Sequence, residues 1–212
     1  MDKRAIQGNR TQRIAAILAS GLVLASGAVA TSMAAWSDTE WVVGGVGTAP
    51  GISTSIFQVQ QNTTAADEGA WVDEPDSPGG VIAFVDASGL TPGDTAYGFV
   101  RLRTVEDSLA GVVTMQPAAH TGPDALYDAL EYGAGLVATP AECAAGQFGA
   151  GDDTLVAFGA ALDAAVAPTF SIAEDAQSEM IVCFAVTLPA GAPASLQGLT
   201  TLPEWVFQSE SV

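Results

Sequence analysis

The chain has 212 residues, with 24 acidic side chains against six basic ones, one histidine, two cysteines and a formal net charge of −18. Hydrophobic residues make up 49% and charged residues only 14%, which excludes a disordered acidic tail, since disorder needs low hydrophobicity together with high charge. The length is ample for one domain with a real core. Lys3, Arg4, Arg10 and Arg13 precede residue 14, and Arg101 and Arg103 are the only other basic residues. Two arginines are too few to grip a phosphate backbone, which argues against nucleic acid as a partner.

The early basic residues lead into an apolar run at 14–30 (IAAILASGLVLASGAVA) and then into small residues ending at Met33-Ala34-Ala35. That is the n-region, h-region and cleavage-site order of an export signal. An uncleaved membrane anchor is the alternative, because the run is near the lower length limit of a spanning helix; its many Ala and Gly and its small-residue exit favour cleavage. Two cleavage sites present themselves, after Ala28-Val29-Ala30 and between Ala35 and Trp36. The expected organisation is a signal peptide at 1–35 and a secreted or surface domain at 36–212. Such a chain touches a membrane only through its signal segment and a signal peptidase only during export. Of the acids only Asp2 precedes residue 36, so a chain starting at Trp36 carries 23 acids, two arginines and no lysine, a net −21. This charge repels anionic surfaces and makes any self-association sensitive to salt or divalent cations.

Past the signal, short β-branched or aromatic runs bounded by Gly, Pro, Asp or Ser predict strands at 52–60, 81–85, 96–105, 111–115, 180–188 and 204–208. In the third of these, Gly98, Val100, Leu102 and Thr104 alternate with Tyr97, Phe99, Arg101 and Arg103, which puts both arginines on the outer face. Leu90-Thr91-Pro92-Gly93-Asp94 places Pro and Gly at central turn positions, and residues 73–80 form a longer acidic loop. The one predicted helix is 124–132 (DALYDALEY), where Leu126, Ala129 and Leu130 fall at helical spacing after Thr-Gly-Pro and before Gly133 and Gly135. Residues 155–158 (LVAF) read as a strand, and 160–167 is ambiguous between strand and helix. The fold class is therefore all-β, an antiparallel jelly-roll-like sandwich with one short helix.

Cys143, in an expected loop, and Cys183, in an expected buried strand, most simply form one disulfide in an exported chain. A metal or redox pair lacks both the close spacing and the further ligands. Catalysis by a Ser-His-Asp or Cys-His arrangement would have to use His120, which sits in a turn-like segment. No HExxH is present. The acidic clusters Asp67-Glu68, Asp73-Glu74-Asp76, Asp152-Asp153 and Glu174-Asp175 are explained by a solvated surface, with a weak calcium site as the alternative. Asn62-Thr63-Thr64 spells a glycosylation sequon. No catalytic residue, cofactor or metal ligand is assigned.

Four segments carry a resemblance. Ala34-Ala35-Trp36-Ser37-Asp38-Thr39-Glu40 follows the signal directly; Leu90-Thr91-Pro92-Gly93-Asp94 makes a Leu-x-Pro-Gly-Asp turn; residues 124–132 contain an L-x-x-A-L-x-Y pattern; and Cys183-Phe184-Ala185-Val186-Thr187-Leu188-Pro189 leads through 192–198 (APASLQG) to Trp205. Together they resemble the exported TasA/camelysin family, whose signals are cut by a SipW-type signal peptidase, and in particular its actinobacterial relatives. The resemblance implies cleavage after Ala35, a jelly-roll-like sandwich outside the cell, and a non-catalytic structural role at the cell surface or in a biofilm matrix. It also implies fibre assembly, with self-association or association with related exported subunits, in which the N-terminal segment of one subunit adds as a strand to the next. The matching segment is 36–44, where Trp36, Asp38, Glu40 and Val42 alternate with Ser37, Thr39, Trp41 and Val43. A first strand that pairs within its own domain is the alternative for that segment. For the whole protein, the alternative is a secreted binding module for a glycan, calcium or a surface protein.

Overall fold

A computed structural model of the chain describes residues 53–65, 71–147 and 153–212, together with the backbone of a strand pair further upstream. The chain divides into two units, Met1–Ile52 and Ser53–Val212. In the first, the described backbone is the antiparallel pair β1 (Gly45–Val46) and β2 (Ala49–Pro50). The expected cleavage position at Ala35 and Trp36, and the expected donor residues Trp36, Asp38, Glu40, Trp41, Val42 and Val43, lie outside the described residues.

The second unit is an antiparallel sandwich. Its strands are β3 (Val59–Asn62), β4 (Thr95–Thr104), β5 (Gly111–Met115), β6 (Ala119–Thr121), β7 (Glu131–Val137), β8 (Thr154–Ala161), β9 (Thr169–Ile172), β10 (Met180–Thr187), β11 (Leu202–Glu204) and β12 (Phe207–Ser211). One sheet has the order β3-β4-β10-β7-β8, the other β12-β5-β9, and β11 pairs with β6. Consecutive strands β4 and β5 lie in different sheets, as do β9 and β10, yet β4 neighbours β10 and β5 neighbours β9. Two ribbons thus wrap around the core side by side, the jelly-roll arrangement. Both sheets feed one apolar core: Val100 and Leu102 from β4, Val113 and Met115 from β5, Phe170 and Ile172 from β9, and Val182 and Phe184 from β10. Period-two side-chain alternation dictates this, and β4 follows it as expected. Ala96, Gly98, Val100, Leu102 and Thr104 are buried inward, while Tyr97, Phe99 and Arg103 are half-buried on the outer face.

The outer face of the large sheet is covered by a second helix that periodicity did not reveal. α1 is the short helix at Asp124–Tyr127, and α2 is Pro140–Ala144. α2 starts at a capping box, in which Thr139 Oγ1 accepts from Glu142 N and the Glu142 carboxylate accepts from Thr139 N. Cys143, expected in a loop, sits on this helix and bridges to Cys183 in the middle of β10, with both residues buried. The disulfide therefore pins a helix of five residues, too short to persist alone, onto the central strand.

Several expected elements are corrected. The helix expected over 124–132 stops at Tyr127, and Glu131 begins β7. Leu126, Leu130 and Tyr127 do pack on the core from one turn. Tyr132 is fully buried, with its ring beside Trp205, on a strand hydrogen-bonded on both sides, and burial of that ring in the sheet outweighs five more residues of helix. Residues 81–85 do not make a strand; they meet β4 at the single bridge Val85–Tyr97. Of the expected strand at 52–60 only Val59 and Gln60 lie in β3, which runs on to Asn62. The expected strand at 204–208 is split between β11 and β12, with Trp205 turned into the core between them.

Candidate functional site

Among the described residues, the sheet on one side of the sandwich is paired along part of its length. β3 pairs with β4 only from Arg101 to Thr104, so the first half of β4 runs on past the end of β3. On that edge Val85 N donates to Tyr97 O at 2.9 Å, a single bridge among the described residues. The gap opens into a groove of about 1660 Å³. Leu126, Leu130, Val186, Leu188, Leu196 and Trp205 line its apolar wall. Leu199, Leu202 and Val206 line it too and are exposed large apolar side chains.

Residues 73–92 lie along this groove as a strap. The strap starts against the edge of β3, where Gln61 N donates to Val72 O at 2.9 Å and Val72 N returns a bond to Gln61 O at 3.0 Å. Ser77 Oγ donates to Glu204 Oε2 at 3.1 Å, and Gln58 Nε2 donates to Asp73 Oδ2 at 2.8 Å. Further along, Ile82 and Phe84 pack against the core, while Val81 and Val85 are 80% and 60% exposed. This is strand-like alternation without a ladder. Ile82 and Phe84 fit because residue 98 is glycine, where a Cβ would come within 2.7 Å of Ile82 and 2.9 Å of Phe84. Phe84 reaches Trp205, whose indole also packs on Phe184 at 4.6 Å and on Tyr132 at 6.0 Å. Burial pushes the Tyr132 hydroxyl up to about 12, against a smaller opposite pull from the Trp205 indole.

The strap ends in the Leu90–Asp94 motif, which forms the turn its residues predict. Asp94 N donates to Thr91 O at 2.9 Å, with Pro92 and Gly93 between them and Gly93 at φ 100°, the geometry of a type II turn. The Asp94 carboxylate accepts from Thr91 N and Oγ1, which lowers its pKa. Gly93 N donates to Leu188 O and Leu188 N to Asp94 O, tying the turn to the chain after β10. Leu90 packs on the core.

The other singled-out residues have structural partners. Arg101 bonds Glu179, with Nη2 at 2.6 Å from Oε2, and both arginines of β4 lie over the Trp71 ring, Arg103 at 4.1 Å from its centre. They share the outer face, as alternation predicts, and lie on the side of the sheet away from the groove. His120 is on β6 rather than in a turn, stacked on Tyr127 with Nε2 at 2.9 Å from Asp124. Asn62 of the sequon is 1% exposed, and its Oδ1 accepts from Thr64 N and Oγ1, so the side chain is closed to a glycan. Among the described residues no cluster of three or more His, Cys, Asp or Glu side chains could hold a metal ion, and no helix is long and apolar enough to cross a membrane.

The groove has no local sequence signature. Its parts lie more than one hundred residues apart, and only the alternation at 81–85 hints that this segment faces a core. No protein-family model matches the chain, and no characterised protein matches it in sequence.

Proposed function

We propose that the protein is an exported, non-catalytic structural subunit of the cell surface or biofilm matrix, a relative of the TasA/camelysin group. It joins copies of itself or related exported subunits by strand addition. Residues 36–44 are the strand it donates. The observation that supports this reading is the jelly-roll-like antiparallel sandwich itself, in which, among the described residues, β3 pairs with β4 from Arg101 to Thr104 and the strap meets β4 at the bridge Val85–Tyr97, a short sheet edge of the kind strand addition extends. A disulfide that ties α2 to the central strand suits an oxidising space outside the cytoplasm, and the export-signal pattern agrees with it. Electron microscopy of the secreted protein beside a variant lacking residues 36–44, across salt and calcium concentrations, tests the proposal. Filaments only with the intact segment are expected. A monomer under every condition, or filaments from both proteins, would overturn the donor role.

A further inference from the structure

We infer that residues 73–89 are a hinged gate: the strap swings off β4 as a unit while both sheets stay folded, and strand addition at β4 proceeds through that open form. The inference rests on the strand-assembly reading and adds its regulation at the same site. The strap is tethered at both ends, by the paired bonds between Gln61 and Val72 and by the Leu90–Asp94 turn bonded to Leu188. Between the tethers little holds it. Every residue from 73 to 89 except Gly80, Ile82 and Phe84 is exposed. Among the described residues, its hydrogen bonds to the rest of the domain are Val85 N to Tyr97 O, Ser77 Oγ to Glu204 Oε2 and Gln58 Nε2 to Asp73 Oδ2, and the last two join exposed groups. Pro75 and Pro78 have no N–H to add to a ladder. A segment with so few buried apolar contacts and so few ladder bonds opens at a lower free energy than the sheets it lies on.

Closed, the strap excludes an added strand. Ile82 and Phe84 pack against the core beside Gly98, where a Cβ would come within 2.7 and 2.9 Å of them, and Phe84 reaches Trp205 at 6.1 Å. A strand laid along residues 95–100 would send every second side chain to those same inward positions. Its backbone would also need Tyr97 O, the acceptor that Val85 N holds. Strap and donor cannot be seated together, so the apparent affinity for a donor falls with the fraction of chains whose strap is open. The donor is the one already proposed, residues 36–44 of another copy or of a related subunit, and the strap sets how readily it enters.

Amide exchange followed by NMR on the secreted protein reads the opening, and filament growth under the electron microscope reads its consequence. The Val85 amide is expected to exchange at least about a hundredfold faster than those of Val182 to Ala185 in β10, at a rate nearly independent of dilute urea. Phe84→Ser removes one anchor and should speed Val85 exchange and filament growth together, each by about tenfold. The pair Val85→Cys with Tyr97→Cys, at facing positions of the bridge, locks the strap when oxidised. Filaments are expected from the reduced pair and none from the oxidised one. Both native cysteines are buried, so mild reduction opens the new bond first. Val85 exchanging only in step with β10, equal filament growth from the locked and reduced forms, or Phe84→Ser growing at the wild-type rate would each overturn the gate. Fast Val85 exchange in a wild type that forms no filaments would overturn strand assembly, and the gate with it, and leave only the motion of the strap.

Discussion

Replacing both cysteines, Cys143→Ala with Cys183→Ala, should cost this domain about 4 kcal/mol. The bridge closes a segment with a sequence separation of 40. The loop-entropy relation then assigns the unlinked unfolded chain about 13 cal/mol/K more entropy, or about 4 kcal/mol at 25 °C. At about 2–4 °C per kcal/mol for a domain of this size, the melting temperature should fall by about 8–16 °C. The structure adds a local consequence: α2 has five residues and loses its covalent tie to β10, so residues 138–147 should become the first site of proteolytic cleavage. Urea unfolding of the wild type, oxidised and reduced, beside the alanine pair separates the cross-link from the lost sulfur packing, because reduction removes the link and keeps both sulfur atoms. The m-value should rise in both unlinked forms, since their unfolded chains expose more surface. A loss below about 1 kcal/mol with an unchanged m-value would refute the reasoning.

Three further outcomes are expected. Gly98→Ala should cost about 1–3 kcal/mol and speed chymotryptic cleavage within 81–86, because the new Cβ meets Ile82 and Phe84; unchanged unfolding and unchanged cleavage would rule out the strap contact. Tyr132 titrates at about 12 when folded and near 10 when unfolded, so the unfolded chain sheds this proton first. Stability should then fall as pH rises from about 10 to about 12, and Tyr132→Phe should flatten that slope; an identical pH profile in the variant would contradict the burial argument. Glu179→Ala should destabilise by about 2 kcal/mol, since it strips a charged partner from Arg101, which is 5% exposed. A change within about 0.5 kcal/mol in urea unfolding would show the pair to be screened by solvent.

Local chemistry was enough for some elements and not for others. β5 and β10 announce themselves through β-branched runs, and β4 through strict alternation that also places both arginines on one face. The turn at Leu90–Asp94 follows from Pro92 and Gly93 alone, because φ preferences act within two residues. Residues 128–132 misled, since Leu126, Ala129 and Leu130 have helical spacing while the neighbouring strands β10 and β8 supply β7 with a ladder that a local reading cannot see. β9 has four residues, too few for periodicity to register.

What the amino-acid sequence determined by itself is the all-β antiparallel class, the acidic charge and the pairing of its two cysteines, since these depend on composition, alternation and count. Only the tertiary structure decided that α2 covers the outer sheet face, that the strap meets β4 at the bridge Val85–Tyr97, and that Asp73, Glu74, Asp76 and Glu204 line one groove. Each of these depends on which distant segments become neighbours. Burial of Tyr132, Phe184 and Trp205 in one aromatic cluster selects those neighbours, and no local pattern encodes that choice.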